Sequence, residues 1–210
     1  TIPLLQELAA EKISPEGRHP RALILAPTRE LAAQIGDSIT AYGRFLQVSH
    51  TVIYGGVGQG PQEKAMNRGV DIVVATPGRL LDLMGQGFVK LDAVKTFILD
   101  EADRMLDMGF FPDVLWIFEK TPNREQTLLF SATFPQEVLD AADEFMLDPT
   151  HVMSEDMEVE IPEIDQYAIR VGRANKLWAL GRIVAQMEDD DQMLIFSNTK
   201  RMVEILSERL

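Results

Sequence analysis

The chain has 210 residues, no cysteine, and 33 acidic against 20 basic side chains, for a formal net charge of −13. This excludes disulfides and thiolate metal sites, and it argues against broad adhesion to nucleic acid through a basic surface. No apolar run approaches the roughly 20 residues that span a bilayer, and the opening Thr1-Ile2-Pro3-Leu4-Leu5 has no basic segment of a signal peptide. A cysteine-free, membrane-free chain fits a cytoplasmic setting.

Residues 2–11 carry apolar positions at helical spacing, and 12–20 read as a polar loop with Pro15, Gly17 and Pro20. Ala22 to Ala26 reads as a buried strand, closed by Pro27, with Thr28 as N-cap of a helix from Arg29 to about Phe45. A short strand Thr51 to Tyr54, a glycine-rich turn Gly55 to Pro61 and a helix Gln62 to Arg68 follow. Asp71 to Ala75 is a strand again, with Thr76 and Pro77 as N-cap and first helical residue. Thr96-Phe97-Ile98-Leu99 is a buried strand that ends in the acids Asp100, Glu101 and Asp103. The pattern predicts helices over Arg104 to Phe111, Val114 to Lys120 and Gln136 to Met146, and a strand Gln126 to Phe130 that ends in Ser131-Ala132-Thr133. Alternating helices and near-continuous apolar strands indicate an α/β fold, a parallel sheet covered on both faces.

Residues 154–163 are acidic with few large apolar side chains and read as a linker. Beyond them the alternation restarts: strand Asp165 to Val171, helix Asn175 to Met187, strand Met193 to Phe196 and helix Thr199 to Leu210. The expected organisation is a first domain over 1–153, the linker, and the beginning of a second domain over 164–210.

In an open parallel sheet, ligands bind outside the carboxyl ends of the strands. Pro27-Thr28-Arg29-Glu30, Thr76-Pro77-Gly78-Arg79, Asp100-Glu101-Ala102-Asp103 and Ser131-Ala132-Thr133 should therefore project from one edge. Each alone has a bland reading: Thr-Pro-Gly as a helix start, Ser-Ala-Thr as a turn, the acids as a complement to a helix dipole. Their convergence is the argument, and carboxylates at a strand end suit Mg²⁺ and the phosphates it carries. The run Gly55-Gly56-Val57-Gly58-Gln59-Gly60 lacks the G-x-G-x-x-G spacing of a dinucleotide loop. His19, His50 and His151 lack a metal-ligand spacing and read as ordinary surface or loop residues. No G-x-S-x-G of a serine hydrolase is present.

Pro27-Thr28-Arg29-Glu30-Leu31, Gly55-Gly56, Thr76-Pro77-Gly78-Arg79, Asp100-Glu101-Ala102-Asp103, Ser131-Ala132-Thr133 and Leu194-Ile195-Phe196-Ser197 stand in the order and rough spacing of the DEAD-box RNA helicases. The resemblance covers nearly the whole chain, and Arg104 to Phe110 looks like the bacterial members. It implies two RecA-like domains, ATP and Mg²⁺ as cofactors and RNA as partner. By the same resemblance, Asp100 holds Mg²⁺, Glu101 orients and deprotonates the attacking water, and Asp103 couples the nucleotide site to RNA through Ser131 and Thr133. Pro27, Thr28, Arg29, Gly56, Thr76, Gly78 and Arg79 then contact the RNA backbone without reading sequence.

The family's phosphate loop, G-x-x-x-x-G-K-[ST], does not occur in the sequence. The expectation is a parent enzyme that is an ATP-dependent RNA helicase, of which this chain is an internal piece without ATPase activity of its own. The alternative is a non-enzymatic module that binds RNA weakly or contacts protein partners. Loss of the strand before the phosphate loop is expected to leave an unpaired sheet edge and low stability.

Overall fold

A computed structural model describes residues 1–10, 19–152, 164–188 and 190–209. The chain divides into two compact units, Thr1–Val152 and Met153–Leu210.

In the first unit, strands β1 (Ala22–Leu25), β2 (His50–Ile53), β3 (Ile72–Ala75), β4 (Thr96–Leu99) and β5 (Gln126–Leu129) form one sheet in the order β2-β3-β1-β4-β5. Every pairing is parallel, and the register aligns the last residues: Ile53 with Ala75, Ala75 with Leu25, Leu25 with Leu99, Leu99 with Leu129. All five strands therefore end at one level.

Successive side chains point to opposite faces of a strand, and the two faces have separate cores. Leu23, Leu25, Val73, Ala75, Phe97 and Leu99 pack on one side. There they meet helices α4 (Pro77–Gly85), α5 (Ala102–Asp107), α6 (Phe111–Glu119) and α7 (Gln136–Phe145). Phe118 fixes α6 on this face, edge-on to Phe97 at 5.2 Å and to Phe145 at 4.9 Å between centroids, favourable aromatic geometries. Ala22, Ile24, Ile72, Val74 and Ile98 pack on the other side with α1 (Ile2–Ala10) and α2 (Arg29–Gly43). The remaining helix, α3 (Gly60–Arg68), contributes Met66 to the first core. Gly36 lets α2 lie close on β2, because a Cβ there would stand 2.5 Å from Val52 Cγ2.

At the amino ends of the strands sits a buried ion pair. Arg21 and Asp71, with side chains 7% and 2% exposed, approach to 3.0 Å. Arg21 also donates to Leu8 O on α1, and Asp71 Oδ2 accepts from Ser49 N and Oγ. The pair thus ties together α1 and the starts of three strands.

Several boundaries differ from the sequence expectation. β2 begins at His50, and β3 begins at Ile72 because Asp71 is turned to the ion pair. α5 starts at Ala102 rather than Arg104 and stops at Asp107, before Gly109 takes a φ of 74°. His50, expected on the surface or in a loop, is half-buried in β2, and burial lowers its pKa.

The sheet has two edges among the described residues, β2, which pairs only with β3, and β5, which pairs only with β4; Phe130 and Phe134 near β5 are partly exposed. The linker expected over 154–163, the loop over 12–18, and the helix ends at Glu11 and Leu210 fall outside the described residues.

In the second unit the described residues form a 3-10 turn at Arg173–Asn175 and helices α8 (Lys176–Val184) and α9 (Lys200–Arg209), the latter capped by Thr199 Oγ1, which accepts from Met202 N. The strands expected at Asp165 to Val171 and Met193 to Phe196 are not formed. Leu194 and Phe196 are 79% and 87% exposed. An apolar run becomes a strand only when a neighbour completes its ladder, and no neighbour pairs with either segment among the described residues.

Asp71→Ala removes the buried partner of Arg21 and the acceptor of Ser49, and is expected to cost about 3–5 kcal/mol, read as a lowered urea midpoint. Cooperative unfolding of a soluble monomeric parent chain in the same assay would count against the expected low stability.

Candidate functional site

Because the strands end in register, their next residues emerge along one edge. The ladder continues one step past each end: Ala26 N donates to Ala75 O, Thr76 N to Ile53 O, Asp100 N to Leu25 O and Phe130 N to Leu99 O. This holds the polar clusters side by side.

Asp100 and Glu101 follow the fourth strand. Asp100 Oδ1 accepts from Glu101 N at 3.0 Å. Burial pushes the Asp100 carboxyl above the usual range; the Glu101 N–H pulls it back, and the Glu101 charge pushes it up again. Glu101 has φ 50° and ψ 55°, a left-handed conformation that a side chain with a Cβ rarely adopts. Such local strain persists where the surroundings enforce it. Here Ala102 N donates to Phe130 O and Asp100 N to Leu25 O, fixing the backbone on both sides of Glu101. Glu101 Oε2 is paired with Arg104 Nη1 at 3.2 Å, one helical turn on.

Asp103 has the opposite environment. Its Oδ2 accepts from Thr133 N at 2.9 Å and from Thr133 Oγ1 at 2.7 Å, and its Oδ1 accepts from Arg104 N. Ser131 Oγ accepts from Asp103 N and donates to Thr133 O. Burial is the largest single influence and raises the pKa, but the bonds from Thr133, Arg104 and Ser131 together outweigh it and hold the carboxyl below its usual range. The three residues expected to act together, Asp103, Ser131 and Thr133, are thus directly bonded.

A second assembly lies along the same edge. Pro27, Thr28, Arg29, Glu30, Gly55, Thr76, Gly78 and Arg79 line a groove of about 380 Å³ together with Met108 and Phe110. Thr28 Oγ1 caps α2 by accepting from Leu31 N, whereas Thr76, at the start of α4, makes no side-chain cap bond. Arg79 donates from Nη2 to Val57 O, while its buried Nη1 has no hydrogen-bond partner among the described residues. Gly56 has φ 80°, and a Cβ there would collide with Arg29 Nη1. Glycine is therefore required both by the turn and by the arginine laid against it.

Among the described residues, no group of three or more His, Asp or Glu gathers to hold a metal. A lone half-buried carboxylate does fit Mg²⁺, which is usually held by one or two carboxylates together with substrate phosphates. The sequence reasoning missed Arg104, Met108 and Phe110 as site neighbours. The i, i+3 spacing of Glu101 and Arg104 could have signalled the first; nothing in the sequence separated Met108 from an ordinary helix end.

Residues 1–141 match the family model described as DEAD/DEAH box helicase. The chain belongs to the DEAD/DEAH box helicase family. It is 42% identical over 193 residues to DEAD-box ATP-dependent RNA helicase 40 of Oryza sativa subsp. japonica, covering 91% of this chain and 24% of that one. It is 38% identical over 200 residues to DEAD-box ATP-dependent RNA helicase CshA of Bacillus subtilis (strain 168), covering 95% and 40%. Among solved structures, a DEAD box protein from Methanococcus jannaschii superposes with a TM-score of 0.65 at 37% identity, covering 99% of this chain and 53% of that one. A hypothetical ATP-dependent RNA helicase from Sulfolobus tokodaii gives 0.62 at 39%, covering 70% and 41%. The chain thus spans less than half the length of these curated DEAD-box relatives.

Asp100→Asn is expected to raise the melting temperature at pH 7, because it removes a carboxylate that burial disfavours. The gain should shrink as the pH falls through the raised native pKa and be gone below about 4, where both the native and the unfolded chain carry the protonated acid. Asp103→Asn should do the reverse, lowering the melting temperature at pH 7. Its deficit should fade as the pH drops through the depressed native pKa of Asp103, where the hydrogen-bonded carboxylate is lost from the parent chain too.

Proposed function

We propose that the chain forms the acidic and RNA-facing part of an ATP-dependent RNA helicase, in which ATP hydrolysis is coupled to local unwinding or remodelling of RNA. The observation that carries this reading is the direct bonding of Asp103 to Thr133 and Ser131 between a carboxylate pair on one side and an arginine-lined groove on the other strand ends.

Asp100 is the residue that would hold Mg²⁺, and a pKa raised by burial is what a carboxylate awaiting a cation would have. The bound ion supplies charge neutralisation at the phosphate oxygens. Glu101 orients the attacking water and takes its proton, and the fixed backbone on both sides of it limits the directions its carboxylate can reach. Its partner Arg104 must release or share Oε2 for that role. Phosphoryl transfer depends on positioning and electrostatics more than on covalent help, so a rigid acid pair at a strand end is suited to it.

Asp103, Ser131 and Thr133 form the coupling group: a carboxylate in the first turn of α5 bonded to the segment after β5 joins two strand ends through short contacts. The RNA backbone is held by Pro27, Thr28, Arg29, Gly56, Thr76, Gly78 and Arg79. The unpartnered Nη1 of Arg79 supports that role, since it is a buried donor with bonding capacity unmet. Glu30 lies in the same groove and repels phosphate locally, confining the path of the strand. Such contacts hold a backbone and read no sequence. A cytoplasmic location is supported by the absence of cysteine, and no described helix is long and apolar enough to cross a membrane.

The lack of a phosphate loop in this sequence favours a second reading for the chain by itself, a weak RNA-binding or protein-interaction module that hydrolyses nothing. The two are separated by phosphate release. The 210-residue chain is expected to show only background RNA-stimulated ATPase activity, and robust turnover lost on Glu101→Gln would falsify that. In a whole protein that carries this chain with a phosphate loop, Glu101→Gln should abolish RNA-stimulated turnover while leaving RNA affinity unchanged.

A further inference from the structure

The groove along the strand ends has two unlike walls. Thr28, Arg29, Thr76 and Arg79 supply donors and charge, whereas Met108 and Phe110 supply only apolar surface. Met108 is 48% exposed. Its display is nonetheless fixed: Met108 N donates to Arg104 O, Gly109 N to Leu106 O and Phe110 N to Met105 O. Met105 is fully buried, and Phe110 packs against the core. An exposed methionine whose main chain is held by a tight turn at the mouth of a charged groove is a built contact surface, because its backbone is already ordered before binding.

We infer that Met108, with Phe110, is the apolar contact for the sugar and base edge of single-stranded RNA whose phosphates are held by Arg29 and Arg79; this rests on the RNA reading above. A nucleotide presents an anionic phosphate and, beside it, the carbon-rich face of the ribose and base. A groove with a cationic and an apolar wall matches both. Methionine is unbranched and polarisable, so it packs on any base or sugar without demanding one. The turn also closes α5, whose other end carries Glu101, so the apolar contact and the catalytic acid share one short helix.

The test is fluorescence anisotropy of a labelled single-stranded uridine oligonucleotide titrated with the 210-residue chain at several salt concentrations. Met108→Ala should weaken binding about fivefold at every salt, from lost apolar contact, with the slope of log affinity against log salt unchanged. Met108→Leu should stay within about twofold of the parent chain, since it keeps similar apolar volume. Arg79→Gln should instead reduce the slope by about 0.7, one phosphate contact on a single strand. Parent-like affinity in Met108→Ala, or a slope change like that of Arg79→Gln, overturns the inference while leaving the RNA reading intact. A parent chain with no salt-dependent RNA binding overturns both. Circular dichroism of each variant confirms the fold, which an exposed side chain should not disturb.

Discussion

The in-register parallel ladder is the constraint on which everything else depends. Side chains alternate between two separate cores, so a slip of one residue would send Leu23, Val73 and Phe97 to the wrong face of the sheet. The same slip would displace the acids by one residue along the strand direction, roughly 3.3 Å, and break the bonds that reach them from neighbouring strand ends. The Arg21–Asp71 pair, bonded to Leu8 and Ser49, pins the opposite ends of the strands. Stability is therefore concentrated at one edge and chemistry at the other. The buried ion pair sits at the end of the strands away from the polar clusters.

Two carboxylates on one short segment are tuned in opposite directions. Asp100 is half-buried with a single backbone donor, so its charged form is disfavoured. Asp103 is surrounded by donors and its charged form is favoured. The first is left wanting a positive partner; the second already has its hydrogen bonds and acts as a fixed anchor. Glu101 between them is held in a left-handed turn, which lets neighbouring acids face different surroundings without separating in sequence.

Much of this was legible in the sequence because it is local. The apolar runs at Ala22, Ile72 and Thr96 are long enough to declare buried strands, and the residues after each announce a turn or a helix start. The convergence of the polar clusters followed from one assumption, a parallel sheet, which the register satisfies. What was not legible is long-range. Arg21 and Asp71 are fifty residues apart and meet only because two strands pair. Met108 reads as a helix end until Arg79 and Thr28 are placed across a groove from it. The segments around Ile169 and Leu194 failed for the converse reason: their composition suits a strand, but strand formation is a property of pairs, and no partner lies beside them among the described residues.

Gly36 and Gly56 act at the same contact from its two sides. The first brings the body of α2 down onto Val52, and the second leaves room for Arg29 at the start of that helix. Fifteen residues of helix form a stiff bar, and these two missing methyl groups set its height and tilt above the sheet. The placement of Arg29 is thereby decided by spacers, one of them two turns away from it. A methyl group at position 36 would act as a shim, tilting the bar and moving Arg29 within the groove without altering its charge, its hydrogen-bonding capacity or its immediate neighbours in sequence. The position of an arginine at the strand ends is in this way set by side-chain volume in the interior of the α2–β2 contact.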